Sequence, residues 1–252
     1  MSNEPELKVL YEDDHLAVLD KPSGVVVNES ATTGDFSTVQ SLIADKWGKA
    51  IPQDGILGEG NTPGDIDEFV KRAGIVHRLD KDTSGVLIVA KDSKTFFDLQ
   101  KQFRDRVVHK EYVVLVLGRV GEDNFEIDAP IGRNPKNKFR FAVVYGGKEA
   151  QTRFSVDSRV KLATELPELT LLKCFPVTGR THQIRVHLAA ANHPVVGDAV
   201  YCPTKQLEVT GKYFDRMMLH AAKIKFQHPT TGNEIEVESP LPQEFDAAEA
   251  HA

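Results

Sequence analysis

The chain has 252 residues, 40% of them hydrophobic and 27% charged, with a net charge of −6. That length suffices to bury a full core as one domain or as two small ones, and the composition is that of an ordinary globular protein. No apolar run approaches the ~20 residues that cross a bilayer, the acidic start Met1–Glu6 lacks the apolar segment of a secretory signal, and two cysteines, Cys174 and Cys202, are too few for a disulfide framework or a cysteine-rich zinc site. A cytoplasmic protein without a membrane partner is expected, its thiols buried or idle.

Taken in chain order, residues 8–11 and 16–19 read as two short strands around the turn Glu12-Asp13-Asp14, and Lys21-Pro22-Ser23-Gly24 as a further turn. Ser37 is placed to cap a helix with Val39, Leu42, Ile43 and Trp47 on one face. Residues 52–63, with Gly55, Gly58 and Gly60, read as a long surface loop that stays acidic to Glu68. Residues 74–76 and 86–90 read as buried strands on either side of a polar loop. Ser93 is expected to cap a second helix carrying Phe96, Phe97, Leu99 and Phe103. Residues 112–117, 139–144, 152–156 and 169–175 read as further strands, with Gly146-Gly147 as a hairpin turn. From 181 a helix begins, capped by Thr181, with Ile184, His187, Leu188 and Ala191 on one face and Arg185 pointing away from it. Strands outnumber helices and connections are short, which predicts an α+β fold with a mainly antiparallel sheet flanked by helices.

The net charge conceals an uneven distribution. Residues 1–70 carry 4 Lys/Arg against 14 Asp/Glu, residues 208–252 carry 4 against 8, and residues 71–207 carry 23 against 15. The segment 133–140 holds Arg133, Lys136, Lys138 and Arg140 and no acid, while 101–110 adds four cations against one acid. A basic face on an acidic body suits a nucleic-acid partner. For either segment alone, a solvated charged surface is the plainer reading.

Two segments carry chemistry. In His77-Arg78-Leu79-Asp80-Lys81-Asp82-Thr83-Ser84-Gly85, a carboxylate at a strand end lies between two cations, Arg78 and Lys81. In Thr178-Gly179-Arg180-Thr181-His182-Gln183-Ile184-Arg185-Val186-His187, cations crowd the first helical turn, where the helix dipole favours acids. An anion there would justify them, either a bound phosphate or a protein carboxylate; the plain alternative is arginine packed along the helix with its head in water.

The run 77–85 resembles the signature of the RluA-type RNA pseudouridine synthases. Asp20–Gly24, Lys110-Glu111-Tyr112, 178–187, His193–Asp198 and Leu219-His220-Ala221 match further segments of that family in its order, so the resemblance spans about residues 8–240. It implies the pseudouridine synthase fold with a bent central sheet, one catalytic domain over 8–240 with 1–7 and 241–252 as terminal extensions, and no S4-like RNA-binding domain. It implies a reaction that breaks the uridine N1–C1′ bond, turns the base over and joins C5 to C1′, with no redox change and hence neither cofactor nor metal. Asp80 falls at the position of the catalytic aspartate, a nucleophile able to form and release a covalent adduct; attack at C6 or at C1′ is left open. Arg185 falls where the family pairs an arginine with that nucleophile, which keeps a carboxylate ionised. Tyr112 matches the active-site tyrosine, suited to stack on uracil and assist proton loss from C5; taken alone, it reads as a core aromatic.

A stacked uridine hides its glycosidic bond, so base flipping is required. Arg78 is placed to contact a phosphate or fill the vacated space, and Lys138, Arg140 and Arg180 are candidates for salt-sensitive backbone contacts. Lys21 reads as shaping the pocket floor. Large-subunit ribosomal RNA is the expected substrate, transfer RNA the second choice, and a monomer is expected. Three other readings stand against this one. Asp82-Thr83-Ser84-Gly85 has an extra residue relative to an aspartic-protease motif and no second copy. His182 and His187 are five apart, without the spacing of a metal hydrolase. A non-catalytic RNA-binding protein on the same fold would leave Asp80 dispensable.

Overall fold

The computed structural model describes residues 7–29, 37–48 and 63–246. β1 (Lys8–Glu12) and β2 (Leu16–Lys21) form an antiparallel hairpin. Its turn is closed by Asp13, whose carboxylate accepts from the amides of His15 (2.7 Å) and Leu16 (2.9 Å), the Tyr11 hydroxyl (2.7 Å) and His228 Nε2 (2.9 Å). α1 (Val39–Trp47) is capped by Thr38, not by Ser37. The reason is reciprocal: Thr38 Oγ1 accepts from the Ser41 amide while Ser41 Oγ accepts from the Thr38 amide, a capping box that only this register permits.

Of the loop expected over 52–63, all but its last residue lies outside the described residues. From Pro63 the chain is helical, as α2 (Pro63–Lys71), with proline at its first position. Residues 74–76 are not a strand: Ile75 makes a single bridge to Val89. Gly74 sits at φ 72°, where a Cβ would lie 2.0 Å from the Ala90 carbonyl oxygen, so the chain turns sharply against the next strand instead of pairing along it. That strand, β3 (Ser84–Ala90), is buried throughout and pairs antiparallel with β2, Leu16 opposite Ala90 and Lys21 opposite Gly85. α3 (Ser93–Arg104) is capped one residue earlier than expected, by Asp92, whose carboxylate accepts from the Thr95 amide and complements the helix dipole.

The remainder contains β4 (His109–Leu117), β5 (Asn124–Asp128), β6 (Ile131–Asn134), β7 (Asn137–Val143), β8 (Gln151–Val160), β9 (Leu169–Pro176), α4 (Gln183–Ala190), α5 (Thr204–Thr210), β10 (Leu219–Gln227) and β11 (Glu234–Glu238). Eleven strands and five α-helices thus lie among the described residues, an α+β fold whose β1–β2, β2–β3, β4–β9, β5–β8, β6–β7, β8–β9 and β10–β11 pairs are antiparallel. No helix among the described residues is long and apolar enough to cross a membrane.

The chain divides into two units, residues 1–109 with 223–239 and residues 110–222 with 240–252. In the first, β1, β2 and β3 stand in that order, and β11 pairs with the second half of β10. In the second, the order is β4, β9, β8, β5, with β6 and β7 forming a separate two-stranded ribbon. The period-2 alternation of β4 and β9 builds a core on each face of this sheet. Val114, Val116, Leu172 and Cys174 pack with Ile184 and Leu188 of α4. Leu115, Leu117, Leu169 and Leu171 pack with Cys202, Phe214, Met218 and Phe245. Both cysteines are free and buried, and burial pushes the Cys202 thiol up to about 11.

Candidate active site

In the first unit the loop from His77 to Thr83 is held from several sides. Leu79 is buried, Arg78 before it is exposed, and Asp80 after it is half-buried. The anchor is Lys21. Its side chain is fully buried, and its ammonium donates to the carbonyls of Pro22 (2.8 Å), Val25 (2.8 Å) and Lys81 (2.9 Å). The Gly24 amide also donates to the Lys81 carbonyl (3.0 Å), and the Ser23 hydroxyl to that of Asp82 (2.8 Å). The Asp80 carbonyl accepts from the Thr83 amide (3.2 Å), closing a tight turn on the nucleophile candidate itself. His77 Nε2 accepts from the Ile88 amide (3.0 Å), and its ring lies 4.7 Å from that of Phe103. The Lys-Pro turn and the Asp80 loop are therefore one object, which the linear separation of positions 21 and 81 conceals.

In the second unit, Tyr112 is half-buried on β4 opposite Cys174, and alternation puts Lys110 on the same face of the strand. Burial pushes the Lys110 ammonium down to about 8. Arg185, expected to point away from the packed face of α4, is itself buried. Every residue from Gln183 to Leu188 is buried, so this helix has no solvent face for an arginine. Its polar groups are matched individually. Arg185 Nε donates to Asp198 Oδ2 (2.7 Å) and Nη2 to Oδ1 (2.9 Å), a bidentate pair. Of the two anions the sequence left open at this helix start, a protein carboxylate is present. His187 has both ring nitrogens engaged, Nδ1 with the Thr152 hydroxyl (3.0 Å) and Nε2 with the Ala129 carbonyl (3.0 Å). Burial lowers its pKa, against the opposing pull of the Ala129 carbonyl.

The loop leading into α4 is latched by Gln183, which accepts from the Thr178 hydroxyl (2.6 Å) and the Arg180 amide (2.9 Å) and donates to the Gln151 carbonyl (2.9 Å). The helix is capped by His182, not Thr181. His182 is left-handed (φ 56°) and makes no side-chain cap bond; its Nδ1 instead meets the Tyr201 hydroxyl at 2.9 Å. Arg180 Nε donates to the Glu149 carbonyl (2.9 Å). Lys138 and Arg140 are exposed on the β6–β7 ribbon beside Phe139, which is 92% exposed. On the same ribbon the Arg133 guanidinium lies 4.4 Å from the Phe141 ring centroid. The ribbon exposes cations and an aromatic side by side, features that nucleic-acid surfaces share.

Linear reading missed Tyr201 altogether, because nothing in the local pattern distinguishes it. Asp198 ended a segment of the family match, with no role read from it; the cations crowded at the start of α4 were the signal that called for a carboxylate partner.

The profile described as RNA pseudouridylate synthase matches residues 15–190. Ribosomal large subunit pseudouridine synthase D of Nitrosomonas europaea is 41% identical over 244 residues, covering 96% of this chain and 64% of its own. Ribosomal large subunit pseudouridine synthase C of Escherichia coli is 37% identical, covering 92% of this chain and 66% of its own. The chain thus spans less than two thirds of the length of either relative. Among solved structures, human RNA pseudouridylate synthase domain containing 1 superposes with a TM-score of 0.74 at 25% identity, covering 100% of this chain and 90% of its own. The chain belongs to the RNA pseudouridylate synthase family.

Proposed function

We propose that this protein isomerises uridine to pseudouridine in large-subunit ribosomal RNA, with Asp80 as nucleophile and Tyr112 and Arg185 completing the catalytic set. The observation that carries the reading is the anchoring of Asp80: a fully buried lysine, Lys21, ties the backbone immediately after the aspartate, at the Lys81 carbonyl, to the Lys-Pro turn. A loop needing only solubility has no use for a buried ammonium, whereas a nucleophile must be held to within a fraction of an ångström. The names of the relatives support ribosomal RNA as the substrate.

In the proposed reaction the flipped uridine meets the Asp80 carboxylate, which forms a covalent adduct with the nucleotide as the N1–C1′ bond breaks. The base turns and C5 bonds to C1′; the bond to the Asp80 carboxylate breaks as C5 joins if the adduct is at C1′, or afterwards if it is at C6; the C5 proton leaves with help from Tyr112, and N1, freed from C1′, takes up a proton. Arg185 supplies the positive charge of the proposed set. The β6–β7 ribbon, Arg78 and Arg180 supply contacts to the RNA backbone.

Purified protein is incubated with ribosomal or transfer RNA transcripts, and pseudouridine is mapped by carbodiimide labelling and primer extension. Pseudouridine is expected in the large-subunit transcript with the native chain, and none with Asp80→Asn, which retains its fold and RNA affinity. Product in transfer RNA alone replaces the substrate assignment. An active Asp80→Asn variant removes Asp80 from its role.

A further inference from the structure

Two side chains with no part in the catalytic set grip Arg185, one at its edge and one at its face. We propose that Asp198 and Tyr201 are positioning residues that hold the Arg185 guanidinium in a single orientation; the proposal rests on the reading of Arg185 given above. Asp198 takes the edge, accepting Nε–H and Nη2–H in parallel. Tyr201 takes the face, with the guanidinium carbon 5.1 Å from its ring centroid. A planar fork held at edge and face has little freedom to tilt or slide.

Each clamp is itself fixed. Asp198 is 1% exposed, and its Oδ1 also accepts from the amides of Val200 (2.8 Å) and Tyr201 (3.1 Å), so the carboxylate cannot rotate without losing them. The residue before it, Gly197, has φ 74° and lies so close to Arg216 that a Cβ would stand 2.0 Å from its carbonyl oxygen. The Tyr201 hydroxyl accepts from the Phe141 amide (3.1 Å) on β7 and meets His182 Nδ1 (2.9 Å). His182 holds a left-handed conformation (φ 56°) that is strained for a residue other than glycine. Backbone strain retained at a residue that orients Tyr201 points to a demand for geometry. A purely structural ion pair makes no such demand, because buried pairs are often replaceable by apolar side chains without loss of stability.

The experiment measures single-turnover pseudouridine formation at saturating protein, RNA affinity by filter binding, and thermal unfolding. The variants are Tyr201→Phe, Asp198→Asn, Arg185→Lys and the double variant Tyr201→Phe/Arg185→Lys. Tyr201→Phe is expected to slow the single-turnover rate about tenfold, with RNA affinity within about twofold of the native value. Asp198→Asn is expected to slow it about a hundredfold or more. Because Tyr201 acts through Arg185, the double variant is expected to be no slower than Arg185→Lys alone. If Asp198→Asn fails to fold, Tyr201→Phe and the double variant decide. A Tyr201→Phe variant that loses only stability or only RNA affinity, with the native saturated rate, overturns the proposal while a slow Arg185→Lys leaves the reading of Arg185 standing. A fully active Arg185→Lys overturns both.

Discussion

The Lys21 ammonium donates to the backbone carbonyl of Lys81 over 2.9 Å, although 60 positions separate the two residues. The contact joins the end of β2 to the loop that carries Asp80. Lys21 pairs opposite Gly85 at the end of the β2–β3 ladder, and the ladder thereby sets where the loop begins.

Replacing this lysine tests how far the Asp80 loop depends on it. Lys21→Met keeps the aliphatic stem and removes the donor from three carbonyls. The expected loss is about 2–4 kcal/mol of stability, read by urea unfolding. Pseudouridine formation is expected to fall further than the folded fraction does, because the loop loses its anchor even in molecules that fold.

Gly197→Ala meets two penalties at once: positive φ and a Cβ 2.0 Å from the Arg216 carbonyl oxygen. A destabilisation of about 2 kcal/mol or more is expected, with the thermal midpoint as the measurement. Gly121→Ala is the control. No atom lies within 4 Å of its added Cβ, and its stability is expected within about 0.5 kcal/mol of native.

The β6–β7 ribbon offers a test of RNA contact that leaves the fold alone. Lys138→Ala and Arg140→Ala are each expected to weaken binding to all RNA sequences alike and to reduce the slope of log affinity against log salt by roughly 0.7–0.9. Phe139, 92% exposed, contributes little to stability; Phe139→Ser is expected to leave the thermal midpoint unchanged and to cost about 1–3 kcal/mol of RNA binding through lost stacking. Salt titrations of filter binding check all three.

Asp13 makes acid stability testable. Burial pushes its carboxyl up, but the bonds from the Tyr11 hydroxyl, the His15 and Leu16 amides and His228 outweigh it and hold the group at about 2. A pKa depressed on folding contributes stability that is present above the unfolded value of 3.8 and lost as pH falls through about 2. The contribution is about 2 kcal/mol. Asp13→Asn is expected to be weaker at neutral pH and to lack that acid limb, as urea unfolding between about pH 6 and pH 2 would show.

The linear sequence determined the strand-rich class, the positions of β1 to β4 and β7 to β9, and the family signature around Asp80, because period-2 apolar alternation and turn residues are local properties. It also placed α1, α3 and α4, missing their caps by one residue, since a cap depends on which side chain reaches which amide. Tertiary structure decided what locality cannot express. Gly74 turns where a strand was expected because of the Ala90 carbonyl opposite it. Arg185 lies inside because α4 is covered on every side and a carboxylate thirteen residues later meets it. The burial of Lys21 follows from three carbonyls gathered from two separate segments. A buried charge is tolerated only where distant backbone and side chains converge to replace its water, and that convergence is a property of the folded chain alone.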